Sequence, residues 1–367
     1  MAADASRLTP DASRTLMIMA GGTGGHIFPA LSVADHARDA GWNVIWLGSR
    51  SGMEARIVPS RGYAMAWIRF SGVRRSGVLA MATLPLNLLI AFWQSARAIF
   101  AHRPDVVLGM GGYVAFPGGM MASLLNRPLV IHEQNSVAGL TNRVLTSVAD
   151  RVLAGFPDAF GKRAKAQWTG NPVRADIAAL APPAERYAAR EGALRVVVMG
   201  GSQGAKALNE VVPQALARLA PAVAPQVIHQ AGSAHLEAVR ANYAAAGVSA
   251  TVIAFIDDMA ATYAAADLMI CRAGASTVAE LAAAGVPALL VPFPYAVDDH
   301  QTRNARFLVE RGGAVLIPQS ELTPARLADL LASFTREKLL AMANAARSVG
   351  KPEATREVAE ACMRMAA

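Results

Sequence analysis

Cysteine is scarce in this chain of 367 residues, and the spacing of the chain's histidines and aspartates argues against metal binding. The two cysteines, Cys271 and Cys362, cannot build a disulfide framework, which predicts a reducing, cytoplasmic location. No Asp-x-Asp pair occurs, and the seven histidines lack the spacing of metal ligands. We therefore predict no metal ion and no cofactor, and expect arginines and helix dipoles to neutralise any bound phosphate.

Acidic residues are missing between residues 55 and 104, a stretch that contains seven arginines. It also contains the apolar run 78–93, which includes Pro85 and Asn87 and is shorter than the roughly 18 to 20 residues of a bilayer span. A transmembrane helix is therefore not predicted. Two interpretations stay open: a buried core helix, or an apolar surface that binds an anionic membrane, rimmed by arginines from Arg69 to Arg103.

Short apolar strands alternate with helical segments along nearly the whole chain. Runs rich in β-branched residues and bounded by glycine or polar turns predict buried parallel strands. They are residues 16–20, 44–48, 106–109, 129–132 and 151–154 in the first half, and 195–199, 226–230, 250–255, 268–271, 288–291 and 314–317 in the second. A looser segment near residues 170–183 separates two doubly wound α/β domains.

A glycine-rich turn follows the first predicted strand of each half. The first, GGTGGHIFP at residues 21–29, carries His26, and we expect a helix to begin near Pro29 and point its free N–H groups into the loop. This favours a pocket for an anion or a sugar phosphate; the alternative is a plain turn with a solvent-facing histidine. The second turn is GGSQGAK at residues 200–206. Neither matches the dinucleotide fingerprint or the Walker A loop.

Two further polar loops follow strands of the first half, GMGGYVAFPGG at residues 109–119 and HEQNSVAGLTN at residues 132–142. Because the carboxyl ends of parallel strands meet at one sheet edge, these loops should converge with the first glycine turn.

The segment CRAGASTVAELAAAGVPALLVPFP, at residues 271–294, is the richest of the second half. We expect a helix starting near Ser276 or Thr277, whose N-terminus leaves room for a ligand. Glu280 lies about one turn inside, where it can accept the hydroxyls of a ribose or, alternatively, cap the helix in an S/T-x-x-E box.

Six motifs, in order and spanning nearly the whole chain, resemble those of the MurG family of bacterial glycosyltransferases. They are GGTGGHIFP, GGYVAFPGG, HEQNSVAGLTN, GNPVR, GGSQGA and CRAGASTVAELAAAGVPA. The resemblance implies a GT-B fold, in which two Rossmann-like, doubly wound parallel-sheet domains face a central cleft. The expected division is a flexible leader (1–15), an acceptor and membrane-binding domain (16–172), a UDP-sugar-binding domain (173–345) and a C-terminal helix returning to the first domain (346–367).

The resemblance also implies roles for individual residues. Thr23, Gly24 and Gly25 would lie beside the sugar and the acceptor diphosphate, Asn135 beside the N-acetylglucosamine, and Arg174 and Ser202 on the donor phosphates. Ile256 would bond the uracil; Ala275, Ser276, Thr277, Val278, Ala279 and Glu280 would surround the diphosphate and ribose; Gln301 would reach the sugar hydroxyls. The chain departs from the family at His300-Gln301, where two glutamines are common, and in PYAVDD, which contains an apparent one-residue insertion.

The activity implied is an inverting transfer of N-acetylglucosamine from UDP-N-acetylglucosamine to the C4 hydroxyl of N-acetylmuramic acid in lipid I, giving lipid II. His26 is the candidate base, because histidine ordinarily titrates near neutrality. Alternatives are a lipid glycosyltransferase of the same fold, a UDP-N-acetylglucosamine 2-epimerase, or a nucleotide-sensing module. We expect a peripheral location on the cytoplasmic face of the inner membrane, an anionic membrane surface as partner, and no nucleic-acid partner.

Overall fold

Parallel strands form the frame of both halves of the chain. The computed structural model describes residues 14–70, 83–161, 165–201 and 204–366. The described strands of the first half are β1 (Thr15–Met19), β2 (Asn43–Ser49), β3 (Ala64–Ile68), β4 (Val106–Gly109), β5 (Leu129–Glu133), β6 (Arg151–Ala154) and β7 (Gln167–Trp168). They form one sheet in the order β3-β2-β1-β4-β5-β6-β7.

Helices cover both faces of this first sheet. Those described are α1 (Gly24–Asp39), α2 (Glu54–Ser60), α3 (Leu84–His102), α4 (Ala115–Leu124) and α5 (Leu140–Leu145). Alternate residues of β1 point to opposite faces: Leu16 and Ile18 pack in the cluster that contains α1, whereas Met17 and Met19 pack in the cluster that contains α3, α4 and α5.

The second half repeats this plan. Its described strands are β8 (Arg195–Met199), β9 (Gln226–Gln230), β10 (Thr251–Ile253), β11 (Leu268–Cys271), β12 (Ala288–Leu290) and β13 (Ala314–Leu316). They pair in parallel in the order β10-β9-β8-β11-β12-β13, which matches the order of the first six strands. In each sheet the order reverses beside the first strand, and this is where parallel α/β sheets bind ligands.

The helices of the second half include the last one of the chain, which crosses back to the first sheet. They are α6 (Ala175–Ala178), α7 (Pro183–Ala188), α8 (Lys206–Leu216), α9 (Leu236–Ala246), α10 (Met259–Ala265), α11 (Ala275–Ala284), α12 (His300–Val309), α13 (Pro324–Ser333), α14 (Arg336–Ser348) and α15 (Ala354–Met365). Val358 and Cys362 of α15 are fully buried in the cluster that contains α1 and β4. Thr355 donates its hydroxyl to the carbonyl of Val173 at 2.7 Å, which holds α15 against the chain between the halves.

The strand predictions are confirmed, with shifts of one or two residues at some ends. The largest shift is at β10, which ends at Ile253, so residues 254–258 are available as a loop. Two strands were missed. In β3 the exposed and buried residues are mixed and the segment lies among arginines, while β7 has only two residues at the sheet edge.

The apolar run of the first half is a surface helix where the structure describes it. Residues 78–82 of the run lie outside the described ranges. The rest of the run, from Leu84, lies in α3, which extends beyond it to His102. Four of its residues, Ala91, Ser95, Ala98 and Ile99, are buried against the domain. By contrast, Leu86, Leu89, Trp93 and Phe100 are 61% to 65% exposed. The buried-core interpretation is therefore wrong for this part, because only one side of the helix packs against the domain and the opposite side is exposed.

Candidate active site

The first glycine turn enters its helix earlier than the sequence predicts. Helix α1 begins at Gly24, with Thr23 as its extended N-cap residue, so the expected start near Pro29 is wrong. Proline is favoured in the first turn of a helix, because the backbone N–H groups there have no helical acceptor and proline's lack of one costs nothing. Here Pro29 lies one turn further on. His26 is consequently part of the first helical turn, and the amides of Gly24 and Gly25 are among the N–H groups without a helical acceptor.

Two glycine loops touch at the point where the first sheet reverses. Gly112, which follows β4, has φ of +82°, and a Cβ atom there would lie 2.3 Å from the carbonyl oxygen of Gly21. Only glycine permits this approach. Behind the loops lies Glu54, a fully buried carboxylate that accepts the amides of Gly22 and Ser49, each at 3.1 Å. Sequence reasoning missed Glu54, since a single acidic residue at the start of a helix carries no distinctive signal.

His26 is half-buried and has a defined partner. Its Nδ1 lies 2.8 Å from Oε1 of Gln134, which follows β5 and is itself buried. On the same edge of the ring, a Cβ atom at Gly111 would lie 2.9 Å from Nδ1. The interpretation of His26 as a merely solvent-facing residue is wrong, because the Nδ1 edge of its ring is held by two different loops.

The loop after β5 is shaped by a second buried carboxylate, Glu133. Its Oε1 accepts the backbone and side-chain N–H groups of Asn135 at 2.9 and 3.2 Å. Its Oε2 accepts the amide of Gly139 at 3.1 Å and the side-chain amide of Asn142 at 2.9 Å. The predicted sugar contact Asn135 is therefore pre-positioned by its neighbour in the HEQN motif.

One side chain of the second half reaches this loop across the cleft. Asn304, on α12, is fully buried; its Oδ1 accepts the amide of Ser136 at 2.9 Å. Its Nδ2 donates to the carbonyl of Ala273 at 3.2 Å and lies 3.4 Å from Oδ1 of Asn135. Helix α1 also approaches α11. Asn304 thus ties the two halves together beside Asn135, a role that only the folded chain reveals.

The second glycine turn is built around Gln230 at the end of β9. The Gln230 side chain accepts the amide of Gly201 at 3.1 Å and donates to the carbonyl oxygens of Gly201 and Ala254 at 3.1 and 3.0 Å. Ser202, predicted to hold a donor phosphate, lies outside the described residues. The turn leads into α8, whose N-cap residue Ala205 makes no side-chain cap, so the described part of the loop leaves the first amides of the helix without a cap.

Glu280 does not cap its helix. Helix α11 begins at Ala275, with Gly274 as N-cap, and Glu280 is about one and a half turns inside. Its Oε1 accepts a hydrogen bond from Arg174 at 3.3 Å and its Oε2 accepts one from the hydroxyl of Tyr263 at 3.0 Å. The capping-box interpretation is therefore wrong. Burial raises the pKa of Glu280, and the opposite charge of Arg174 partly counteracts this.

The other predicted residues of the second half line the same edge. Ser276, in the first turn of α11, has a buried hydroxyl with no hydrogen-bond partner among the described residues. Ile256 is buried in the loop after β10. Gln301 accepts the amides of Ala273 and Phe293 through Oε1 at 3.2 and 2.9 Å.

A metal-binding cluster is not found in the part of the chain that the structure describes. No group of three or more His, Cys, Asp or Glu side chains there could hold a metal ion. The expectation that the reaction needs no metal remains a prediction.

Comparisons with known proteins match both halves of the chain. Residues 16–154 match the glycosyltransferase family 28 N-terminal domain, and residues 195–361 match the glycosyltransferase family 28 C-terminal domain. A crystal structure of MurG from Acinetobacter baumannii superposes with a TM-score of 0.84 at 42% identity, covering 96% of this chain and 99% of that one. The chain belongs to the MurG family. Its fold is accordingly GT-B, as the paired sheets indicate.

Curated relatives agree with this assignment over nearly their whole length. A protein of Dechloromonas aromatica (strain RCB) is 60% identical over 354 residues, which are 96% of this chain and 99% of the relative. A protein of Ralstonia nicotianae is 60% identical over 361 residues, 98% of each chain. Both are named UDP-N-acetylglucosamine–N-acetylmuramyl-(pentapeptide) pyrophosphoryl-undecaprenol N-acetylglucosamine transferase.

Proposed function

We propose that this enzyme transfers N-acetylglucosamine from UDP-N-acetylglucosamine to the N-acetylmuramic acid unit of lipid I, producing lipid II for peptidoglycan synthesis. The observation that carries this proposal is the 60% identity, over nearly the full length, to relatives named for this transfer. The paired sheets provide the cleft that such a reaction needs, because each places a helix N-terminus at the point where its strand order reverses.

The donor occupies the second half of the cleft. The N-termini of α8 and α11, whose N-cap residues make no side-chain cap in the described chain, present amides that suit a diphosphate. The buried hydroxyl of Ser276 has no partner among the described residues, and this supports a ligand at α11, since an unsatisfied buried hydroxyl is costly. Glu280 accepts the ribose hydroxyls while Arg174 and Tyr263 hold it in place. The backbone of Ile256 bonds the uracil, and the NH2 group of Gln301 donates to the sugar while its Oε1 is held by two backbone amides.

The remaining predicted residues belong to the same proposed donor site. Arg174 and Ser202 contact the donor phosphates, and Asn135 contacts the N-acetylglucosamine. The first two turns of α11 wrap the diphosphate and ribose through Ala275, Ser276, Thr277, Val278, Ala279 and Glu280.

The acceptor approaches from the first half. Thr23, Gly24 and Gly25 lie at the N-terminus of α1, where free amides and the helix dipole favour the lipid diphosphate. His26 takes the proton of the C4 hydroxyl as that oxygen attacks the anomeric carbon, and UDP leaves from the opposite side, which inverts the configuration. Negative charge then develops on UDP, where the α8 N-terminus and Arg174 stabilise it.

We also propose that the chain divides functionally at residues 172 and 345. Residues 16–172 hold the acceptor and the membrane surface, residues 173–345 hold the nucleotide sugar, and residues 346–367 return to the first domain. The packing of Val358 and Cys362 beside α1 supports the last assignment.

A transfer assay tests the proposed reaction. Radiolabelled UDP-N-acetylglucosamine is incubated with lipid I, with other lipid acceptors, and without acceptor. We expect label in lipid II only with lipid I. Epimerised nucleotide sugar without acceptor would indicate a 2-epimerase, transfer to another lipid would change the acceptor, and nucleotide binding without turnover would indicate a sensing module.

The exposed stripe of α3 supports a peripheral location at the cytoplasmic face of the inner membrane. Leu86, Leu89, Trp93 and Phe100 follow the spacing of one helix face. Arg69, Arg97 and Arg103 are exposed around it, whereas Arg74 and Arg75 lie outside the described residues. By length and composition alone, α3 is also the one described helix that could cross a membrane. Its opposite face packs on the domain, however, so we propose that the helix lies on the membrane surface.

Vesicle sedimentation tests the membrane surface. We expect binding to phosphatidylglycerol vesicles that weakens with salt and in Trp93→Ser, because both the apolar stripe and the arginines contribute. Val223→Ser, an exposed apolar residue of the second half, is the matched control and should bind normally. Equal binding by the two variants would remove α3 from this role.

A further inference from the structure

The orientation of the buried Gln134 side chain is determined by its surroundings. Its Nε2 lies 3.2 Å from the backbone carbonyl oxygen of His132 and 3.1 Å from Nδ1 of the same residue. A carbonyl oxygen can only accept a hydrogen bond, so the amide group facing it must be the NH2 group. The Oε1 atom of Gln134 therefore faces His26.

This orientation decides where His26 carries its proton. Oε1 of an amide only accepts, and it lies 2.8 Å from Nδ1 of His26, so Nδ1 must be the N–H donor. In a neutral imidazole one nitrogen is a donor and the other an acceptor. The lone pair of neutral His26 is consequently on Nε2, the nitrogen on the ring edge away from Gln134 and Gly111.

His132 holds the other end of the chain of hydrogen bonds. Its Nε2 lies 2.9 Å from the carbonyl oxygen of Gly170 and therefore donates, which leaves Nδ1 to accept from Gln134. Complete burial lowers the pKa of His132 to about 4, so the ring stays neutral and keeps this acceptor. Gly170 has a φ of +82°, and a Cβ atom there would lie 2.3 Å from Cβ of Lys351, so glycine suits this position.

We propose that Gln134 is a positioning residue that holds His26 in its Nδ1–H tautomer, with His132 fixing the amide of Gln134 in turn. The catalytic consequence rests on the proposed function, in which Nε2 of His26 takes the proton of the attacking hydroxyl. The tautomer itself does not depend on that function. Gln134 also accepts from the imidazolium once the proton has been transferred, which an apolar side chain could not do.

Nuclear magnetic resonance measures the tautomer directly in the full chain. Two-bond proton–nitrogen correlations of protein labelled with nitrogen-15 in histidine are recorded at pH 8, where ordinary histidines are neutral. His26→Asn and His132→Asn spectra assign the two rings. We expect the Nδ1–H form for His26 and the Nε2–H form for His132. An Nε2–H form of His26 in the wild-type protein would overturn the proposal.

Two substitutions separate positioning from a general structural effect. Gln134→Met keeps the size but removes the acceptor, so we expect mixed tautomers of His26 and kcat lowered on the order of tenfold, with unchanged UDP binding. Gln134→Glu keeps the oxygen acceptor that faces His26 and should restore the Nδ1–H form, but it loses the donor to the carbonyl of His132, so only part of the activity should return. If Gln134→Met lost activity while His26 kept the Nδ1–H form, Gln134 would not be a positioning residue.

The same measurements keep the two proposals apart. An Nδ1–H form in the wild-type protein, together with full turnover by a His26 variant, would preserve the tautomer assignment and remove His26 as the base. The reverse result, an essential His26 in the Nε2–H form, would preserve the base and overturn the role of Gln134.

Discussion

The two halves of this enzyme have the same strand order and a glycine turn at the same place, yet their sites differ in chemistry. In the first half the turn leads to His26, and buried polar side chains, Glu54, Glu133 and Gln134, hold the loops from behind. In the second half the turn leads to uncapped amides and small residues, with Gln230 as its support. Both turns lead to helix N-termini that suit an anion; the first half adds His26, whose ring suits proton transfer, and the second adds small residues that leave room for a ligand.

This difference shows how one topology can serve two reactants. The strand order determines where the loops meet, because both sheets reverse beside their first strand. The side chains behind the loops decide what each site can do. The comparison can be tested by removing one feature of either half and observing which step of the reaction responds.

The largest effect should come from the titratable group of the first half. His26→Ala should lower turnover by at least about a hundredfold, because a general base is lost, while UDP binding stays the same. Steady-state kinetics and calorimetric titration with UDP measure the two quantities. His36→Ala, on the same helix, is the control. A loss below tenfold would assign His26 to acceptor positioning only.

Acid should destabilise both halves, since each sheet buries a neutral histidine. Burial lowers the pKa of both His132 and His229 to about 4. Below the ordinary value of about 6.5 the unfolded chain binds protons that the folded chain does not, so stability falls as pH falls from 6.5 to 4. Between pH 7 and pH 5 each histidine should cost about 2 kcal/mol.

Urea unfolding at pH 7, 6 and 5 measures this loss. His229→Gln should reduce the pH dependence by about half, because one of the two groups no longer titrates, whereas His36→Ala should retain it. A pH dependence unchanged in His229→Gln would contradict the assignment.

The proposed ribose contact, Glu280, lies in the second half. Glu280→Gln should weaken UDP binding about tenfold and reduce the preference for UDP over 2′-deoxy-UDP, because a charged acceptor is lost. Since burial raises the pKa of Glu280 above 4.5, wild-type binding should fall with acid at a pH above that value. Calorimetric titration with both nucleotides measures the preference. An unchanged preference in Glu280→Gln would place the ribose elsewhere.

The smallest effect should come from the link between the halves. Asn304→Ala removes the hydrogen bond to Ser136. We expect kcat/KM to fall about fivefold, which corresponds to the free energy of roughly one hydrogen bond. Asn242→Ala is a matched control, because the side chain of Asn242 donates to the carbonyl of Asn209 in its own half. Equal kinetics for the two variants would show that Asn304 has no part in joining the halves.

The sequence predicted the strands and turns well, but not the polar residues behind them. Strands such as β4 and β8 are marked by continuous apolar runs, which are visible without the fold. Gln134 was part of the quoted motif HEQN, but its partner His26 lies 108 residues away in sequence, and no local pattern connects them. The early start of α1 was misjudged and the exposure of α3 was left open, because proline position and apolar content are only local indicators.

Composition, periodicity and motif order by themselves determined that this chain has two parallel α/β halves and a family resemblance, because these properties depend on neighbours in sequence. Only the tertiary structure decided that Gln134 faces His26, that Glu280 bonds Arg174 and Tyr263, and that Asn304 reaches Ser136. Such contacts join distant segments, and a hydrogen bond is defined by distance and direction, neither of which the sequence records.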